Sequence, residues 1–478
     1  MYDHNKQYKH DVIRARAISD VDNLLPKYAL IIDKICPCSK EDFTKRFNEA
    51  LESYVKKKVR NPDDLKARKK TLDNHRTEIT GSLFGMYYES EGQVYASERT
   101  IKFLQDNDQP AFFKDWLLKM QFPNGAQTSP KYSRHISAGI SCHPYSVLLK
   151  VLELFDRNGI QITKQEIGYY ILNSEDVLKG HASPYEVYDA IIEDKKAFQD
   201  VRRITIPEGE SSAYDQHIGD QLQYLQLANL IILNGKYVSI NKKEKVAISA
   251  FVELINQPLG FDVNKYDITT LEGRKQFESE WSFYYGKLSS QNDKLATPLD
   301  ALISDCEEAA ERNTTSEQET KGEPTVELGD EGERYVYQLE KNRVANFNAR
   351  LVGKVIALGK TKGLGYDIQS VIAEPGDEAE FVKYIEVKST KRVTVPDLTL
   401  EDFNDTLNIT RNEWIAAQQH KEYYSIYRVY FSRDGVTIFV IVNPYQKSRD
   451  GEIQVVPMTY RVDFTNKSID AVIKPNAS

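Results

Sequence analysis

The sequence predicts a multidomain protein. A mainly α N-terminal part with winged-helix and helix-turn-helix units is expected to join a C-terminal α/β domain with a mixed central sheet. Three observations carry this. The chain has 478 residues, more than one hydrophobic core usually serves, so about two to four domains are expected. Between Asn292 and Leu328 the composition turns acidic, polar and nearly free of aromatics, as in DCEEAAERNTTSEQETKGEPTVELG, which reads as a linker. Before it, apolar spacings suit helices followed by short hairpins; after it come strand-like runs such as YIEVK and YYSIYRVYF. The expected divisions are residues 1–290, a linker over 291–327, and a domain over 328–478.

In the N-terminal part, Lys56 to Lys70 (KKKVRNPDDLKARKK) concentrates positive charge in Lys56, Lys57, Lys58, Arg60, Lys66, Arg68, Lys69 and Lys70. A solvated helix face accounts for most such runs; a surface that contacts phosphates is the other reading. Next, alternating apolar positions around Leu83 to Tyr88, the turn Glu91-Gly92, and Val94 and Tyr95 predict a β-hairpin leading into a helix. The segment SCHPYSVLLKVLELFDRNGIQITKQEIGYYIL predicts a helix stopped at Gly159, then a second helix opened by Thr163 with Glu166 as a capping box. That is helix-turn-helix spacing. Ile218, Leu222, Leu225 and Leu227 then predict a helix before LIILNGKYVSI, where Asn234-Gly235 signals a type I′ hairpin, the wing of a winged helix.

In the C-terminal domain, Glu386 and Lys388 flank Val387 in the apolar run YIEVK. Residues i and i+2 of a strand share a face, so these two project together while Ile385 and Val387 face the other way. Asp367 follows the Gly363-x-Gly365 turn at the start of another expected strand, and the polar loop AEPGDEAE lets that strand pair beside YIEVK. Two carboxylates and a lysine then converge. Asp367 and Glu386 are hard oxygen ligands suited to Mg²⁺, and Lys388 would balance charge and orient an attacking water. A surface Glu–Lys pair on an edge strand is the competing reading, but the run is too apolar for full exposure. Thr410 and Glu413 are expected to cap a helix, Ser389 and Thr390 to pair locally, and Gln418, on the same helix as Glu413, to approach the site.

Composition narrows the function classes. At 40% hydrophobic and 28% charged residues, the chain is an ordinary globular sequence. A formal net charge of −8 argues against a protein that coats nucleic acid everywhere, while leaving room for local basic faces. Cys36, Cys38, Cys142 and Cys306 provide neither a disulfide framework nor paired zinc ligands, which fits a reducing cytoplasm; Cys36-Pro37-Cys38 reads as packed small residues. The polar start and the absence of a long apolar run predict neither secretion nor membrane spanning. No ATP phosphate loop, G-x-S-x-G elbow or metalloprotease histidine pair is present, and GKTKGLG reads as a tight turn.

Asp367, Glu386 and Lys388 form a D-x18-E-x-K arrangement that resembles the PD-(D/E)xK nuclease superfamily, with Tyr366 where the motif name has Pro. The segments GDEGERYVYQLEK, GLGYDIQS, YIEVKST and LNITRNEWIAAQQHKEYYSIYRVY, in this order, resemble the NO VEIN C-terminal family over residues 326–444. The resemblance implies a restriction-endonuclease-like fold and makes Glu333 a further active-site carboxylate. In the N-terminal part, LLKMQFP, PYSVLLKVL and YLQLANLIILNGKYVSI resemble the recognition region of AlwI-like type IIS restriction and nicking endonucleases over residues 70–253. That implies sequence-specific binding of double-stranded DNA. Trp116, Lys119, Gln121, Phe122 and Pro123 carry the middle of this match; Lys119 and Gln121 become candidate DNA-binding residues, while Trp116 and Phe122 read as core.

The resulting expectation is a type II restriction endonuclease that hydrolyses DNA phosphodiesters with Mg²⁺, leaves 5′-phosphate ends and cuts at an offset from its site. One constellation per chain implies a homodimer on DNA or a partner subunit for double-strand cleavage, and a cognate methyltransferase in the same system. A modification-dependent endonuclease with a base-flipping pocket, and a non-catalytic DNA-binding protein with a degenerate nuclease fold, are the alternatives.

Overall fold

The computed structural model describes residues 6–8, 12–13, 18–55, 65–197, 211–302, 328–359, 363–372, 381–399 and 403–455. Apolar residues of the N-terminal part gather into one core that runs from Val21 to Leu295. Its helices are α1 (Ile18–Ile35), α2 (Lys40–Val55), α3 (Leu65–Asn74), α4 (Glu98–Asp106), α5 (Gln109–Lys119), α6 (Ser129–Ser137), α7 (Pro144–Arg157), α8 (Lys164–Ile167), α9 (Glu175–Leu178), α10 (Pro184–Lys196), α11 (Ser211–Leu227), α12 (Lys245–Val252) and α13 (Leu271–Gly286). Two small sheets sit among them: β1 (Cys38–Ser39) with the hairpin β2 (Tyr87–Ser90) and β3 (Gln93–Ala96), and β4 (Ile162–Thr163) with the hairpin β5 (Ile231–Asn234) and β6 (Tyr237–Ile240).

The first hairpin turns at Glu91 and Gly92, which both take positive φ, as a type I′ turn requires. The strand expected from Leu83 begins only at Tyr87. His75–Leu83 continues α3 as a π-helix, because Ile79 and Leu83 bury one helical face against the core. The second hairpin is corrected in its turn type. Asn234 is still paired with Tyr237, so the turn is Gly235-Lys236; Gly235 has φ 60° and Lys236 does not share it, which is the type II′ pattern. The Thr163–Glu166 capping box forms, and β4 pairs with β6, so α7, α8, α11 and this hairpin assemble as one unit.

The C-terminal domain is built on a mixed sheet in the order β11-β10-β9-β8-β7, comprising β7 (Ile356–Ala357), β8 (Ile368–Val371), β9 (Val382–Lys391), β10 (Tyr424–Ser432) and β11 (Gly435–Val442). Strands β9 and β10 run parallel and the other pairs antiparallel. The strand alternation expected for YIEVK holds: Ile385 and Val387 join Val429 and Phe431 in a core on one face, which helix α14 (Leu328–Asn348) covers. On the other face, Ala416 and Ala417 of helix α15 (Arg411–His420) pack on Tyr424 and Ile426. Glu340 of α14 fixes its face from within. It accepts from Ser370 at 2.7 Å and Tyr427 at 3.0 Å and pairs with Arg343 through both carboxylate oxygens. The short helix α16 (Pro444–Arg449) follows β11.

Residues 291–302, expected to begin the linker, are instead packed. Leu295 and Leu302 are buried, and the Thr297 N–H donates to Asp108 at 2.8 Å. Lys114, wholly buried, donates to Glu244 at 2.7 Å and to Thr297 Oγ at 2.8 Å. A buried cation is tolerated only with such complete pairing. The remaining linker residues, 303–327, lie outside the described residues. No helix among the described residues is long and apolar enough to cross a membrane.

Candidate active site

Strand β8 begins at Ile368, and its register, carried back by one residue, places Asp367 opposite Glu386. The backbone confirms it: Asp367 N–H donates to the Ile385 carbonyl at 2.9 Å, and Val387 N–H donates to the Asp367 carboxylate at 2.8 Å. Lys388, next on the same face of β9, places Nζ 2.6 Å from Glu386 Oε1. The expected convergence of Asp367, Glu386 and Lys388 is therefore what the structure shows. The Glu386 side chain is only 3% exposed and that of Lys388 22%, so solvent reaches the site from the lysine side.

Helix α15 closes the site from above. Gly365 has φ 77°, and a Cβ there would lie 2.5 Å from the Asn412 carbonyl and 2.9 Å from Ala416; only glycine permits both the turn and this approach. Tyr424 Oη also donates to the Gly365 carbonyl at 3.0 Å. The first turn of α15 is thereby brought down beside the carboxylates. Its Thr410–Glu413 capping box forms as expected, but Glu413 does more than cap: its Oε2 lies 3.0 Å from Lys388 Nζ. Local sequence predicts only the cap for Glu413. The missing information was the seat of α15 on Gly365, which depends on contacts distant in sequence. Gln418 points to solvent on this helix.

Electrostatics follow from this crowding. Burial pushes Glu386 up to about 8, with Asp367 and Glu413 adding to the rise and Lys388 opposing it. Burial likewise raises Asp367, against the pull of the Val387 N–H and of Lys388. For Lys388, burial disfavours the ammonium, but Glu386 and Glu413 outweigh it and hold the group above its ordinary range. Two adjacent carboxylates that resist ionising together are a donor set whose charge a hard divalent cation would relieve. Asp367 and Glu386 are the residues that would hold such an ion. Among the described residues no cluster of three or more His, Cys, Asp or Glu is arranged to hold a metal.

The other sequence candidates divide. Glu333, half-buried on α14, lies against Gly359, where a Cβ would meet its Oε2 at 2.0 Å. Arg428 on β10 is in register with Lys388; it donates to the Lys388 carbonyl at 3.2 Å and pairs with Asp405 at 2.7 Å, so it supports the strand from beside. Lys119 and Gln121 are corrections. Lys119 is 8% exposed, donates to the Tyr284 carbonyl at 2.7 Å and is pushed by burial down to about 7. Gln121 is fully buried and bonds both backbone groups of Phe261. Both are interior, as are Trp116 and Phe122, because the α5 end and the residues after it run through the core. Lys66, Lys69 and Lys70 are exposed on α3, whereas Arg68 pairs with Glu52 of α2. Lys56, Lys57, Lys58 and Arg60 lie outside the described residues.

Comparison with known proteins places both halves. Residues 2–282 match the family model "Restriction endonuclease BpuJI - N terminal", and residues 332–441 match "Protein NO VEIN, C-terminal". No protein of the curated set matches the chain. Among solved structures, the BpuJ1 endonuclease binding domain in complex with pyrene- and phenanthrene-modified DNA is 41% identical, covering 60% of this chain and 100% of that one with a TM-score of 0.55. The restriction-endonuclease reading of the N-terminal part is thus borne out through BpuJI. The chain therefore belongs to the family of the restriction endonuclease BpuJI N-terminal region, carrying behind it a domain similar to the NO VEIN C-terminal domain.

Proposed function

We propose that this protein is a type II restriction endonuclease: its N-terminal part reads a sequence in double-stranded DNA and its C-terminal domain hydrolyses a phosphodiester nearby. The observation that carries this reading is the juxtaposition of Asp367 and Glu386 with Lys388 on one face of a mixed sheet, behind a region related to a DNA-bound domain. The helices α7, α8 and α11 with the β5–β6 hairpin serve in it as a winged helix.

Asp367 and Glu386 would hold Mg²⁺, which when bound polarises the scissile phosphate and lowers the pKa of water. The Val387 N–H keeps the Asp367 carboxylate turned into the site. Lys388, more exposed than either Glu386 or Glu413, meets the incoming phosphate, orients the attacking water and offsets charge on the pentavalent transition state. In-line attack then leaves a 5′-phosphate and a 3′-hydroxyl. With one such site among the described residues, double-strand cleavage falls to a second copy, a partner subunit or sequential nicking, and a host using it needs a methyltransferase of matching specificity.

Purified protein incubated with unmethylated phage DNA and Mg²⁺ tests the reading, beside Lys388→Ala and an EDTA control. Discrete bands lost in both controls are expected. Cleavage confined to methylated DNA would replace the reading by a modification-dependent nuclease, and tight binding without cleavage of any DNA would leave a DNA-binding scaffold.

A further inference from the structure

The proposed reaction leaves unused a carboxylate that reaches Lys388 from the helix above it. Glu413 Oε2 accepts the Thr410 N–H at 2.8 Å, and the Glu413 N–H donates back to Thr410 Oγ at 3.3 Å. The residue is thus tied at both ends. The same Oε2 lies 3.0 Å from Lys388 Nζ, and the Glu413 side chain is 14% exposed. Lys388 consequently has two carboxylate neighbours: Glu386, beside it on β9, and Glu413, from the helix above. These neighbours are not equivalent. Glu386 stands opposite Asp367 and would be drawn toward a cation, whereas Glu413 has its position set by backbone bonds of α15 and by the close seat of that helix on Gly365.

We propose that Glu413 is the positioning residue of this site: it holds the Lys388 ammonium over the catalytic face and so frees Glu386 for the cation. The inference rests on the nuclease reading and adds a residue to it. A carboxylate cannot fully satisfy an ammonium at 2.6 Å and a divalent ion at once, since each interaction draws on the same charge. Without Glu413, Glu386 is the carboxylate left at ion-pair distance from Lys388 among the described residues, and the ammonium competes with the ion for it. With Glu413, the ammonium keeps a partner whose place the first turn of α15 has fixed. A purely structural role makes a different claim, because the capping box needs an oxygen acceptor at this position and no charge.

Glu413→Gln separates the two roles, since the amide oxygen still accepts the Thr410 N–H while the charge is gone. The expected result is an unchanged melting temperature and DNA affinity, a single-turnover cleavage rate down by at least about tenfold, and calorimetric Ca²⁺ affinity weakened by about fivefold or more. In the Lys388→Met background, Glu413→Gln should leave Ca²⁺ affinity unchanged, as a double-mutant cycle requires if the effect passes through the lysine. A Glu413→Gln protein that cleaves and binds Ca²⁺ like the parent overturns the proposal. So does an equal Ca²⁺ loss in both backgrounds. If the parent protein cleaves no DNA, the nuclease reading fails by itself, and the Ca²⁺ cycle still decides for or against Glu413 as the residue that frees Glu386.

Discussion

Asp108 and Lys391 form a parallel backbone bridge, which carries strand β9 out of its own sheet and onto the N-terminal part. The Lys391 N–H donates to the Asn107 carbonyl at 3.1 Å, as does Thr390 Oγ at 3.2 Å, and Lys391 Nζ donates to the Thr297 carbonyl at 2.7 Å. The ammonium also lies 2.9 Å from Glu331 and 3.9 Å from Asp108. Around it, Arg392 donates to Asn23, Thr394 to Asp22, and Arg433 to Asn229 and the Ile231 carbonyl.

Removing the ammonium leaves acidic groups buried without it. Lys391→Met is therefore expected to destabilise the protein by about 3 kcal/mol, the range for breaking a buried pair. Calorimetry should then resolve two unfolding transitions where the parent shows more closely coupled ones, because the dock between the parts is what the substitution weakens.

Gly365→Ala tests the seat of α15. The new methyl group meets the Asn412 carbonyl and sits on a positive-φ backbone, so the helix start must lift and take Glu413 with it. Cleavage is expected to fall by more than about tenfold, with DNA affinity in gel-shift assays unchanged, since the recognition part is untouched.

Acid should loosen α14 before the N-terminal core. Burial alone would raise Glu340, but Arg343, Lys383 and Ser370 outweigh it and hold its carboxyl below the usual range. A depressed folded value contributes stability that is present above the unfolded value, near 4.5, and is lost as pH falls through the folded one. Glu340→Gln should cost about 2 kcal/mol at about pH 7. In urea melts the gap between variant and parent should narrow as pH drops below the ordinary carboxylate range.

The exposed lysines of α3 offer a test of duplex binding. Changing Lys66, Lys69 and Lys70 together to Gln is expected to weaken binding to all duplexes alike. The slope of log affinity against log salt should shrink by about 0.9 for each phosphate that is no longer neutralised. An unchanged slope would return these residues to the role of a solvated helix face.

What the sequence disclosed was local. Alternation in YIEVK set Glu386 and Lys388 on one face, the Thr163–Glu166 and Thr410–Glu413 pairs announced helix starts, and the Gly363-x-Gly365 turn placed Asp367 at a strand end. What it withheld depended on packing between distant segments. Lys119 and Gln121 carry polar groups that suggest a surface, yet backbone carbonyls of Tyr284 and Phe261 wait for them inside. Residues 291–302 look like a tether by composition and are instead clamped by Asp108, Lys114 and Lys391. Glu413 announced its cap and concealed its lysine, since no local pattern tells where a helix will land.

The strand that bears Glu386 is also the strand that ends on Asn107. A span between two sites that is set by a flexible chain behaves as a leash, whose reach widens with every added residue. A span set by paired backbone behaves as a ruler. With β9 seated as it is, the distance from the β5–β6 hairpin to Asp367 and Glu386 is set by packed protein, and lengthening the acidic segment before Leu328 is expected to leave that distance where it stands.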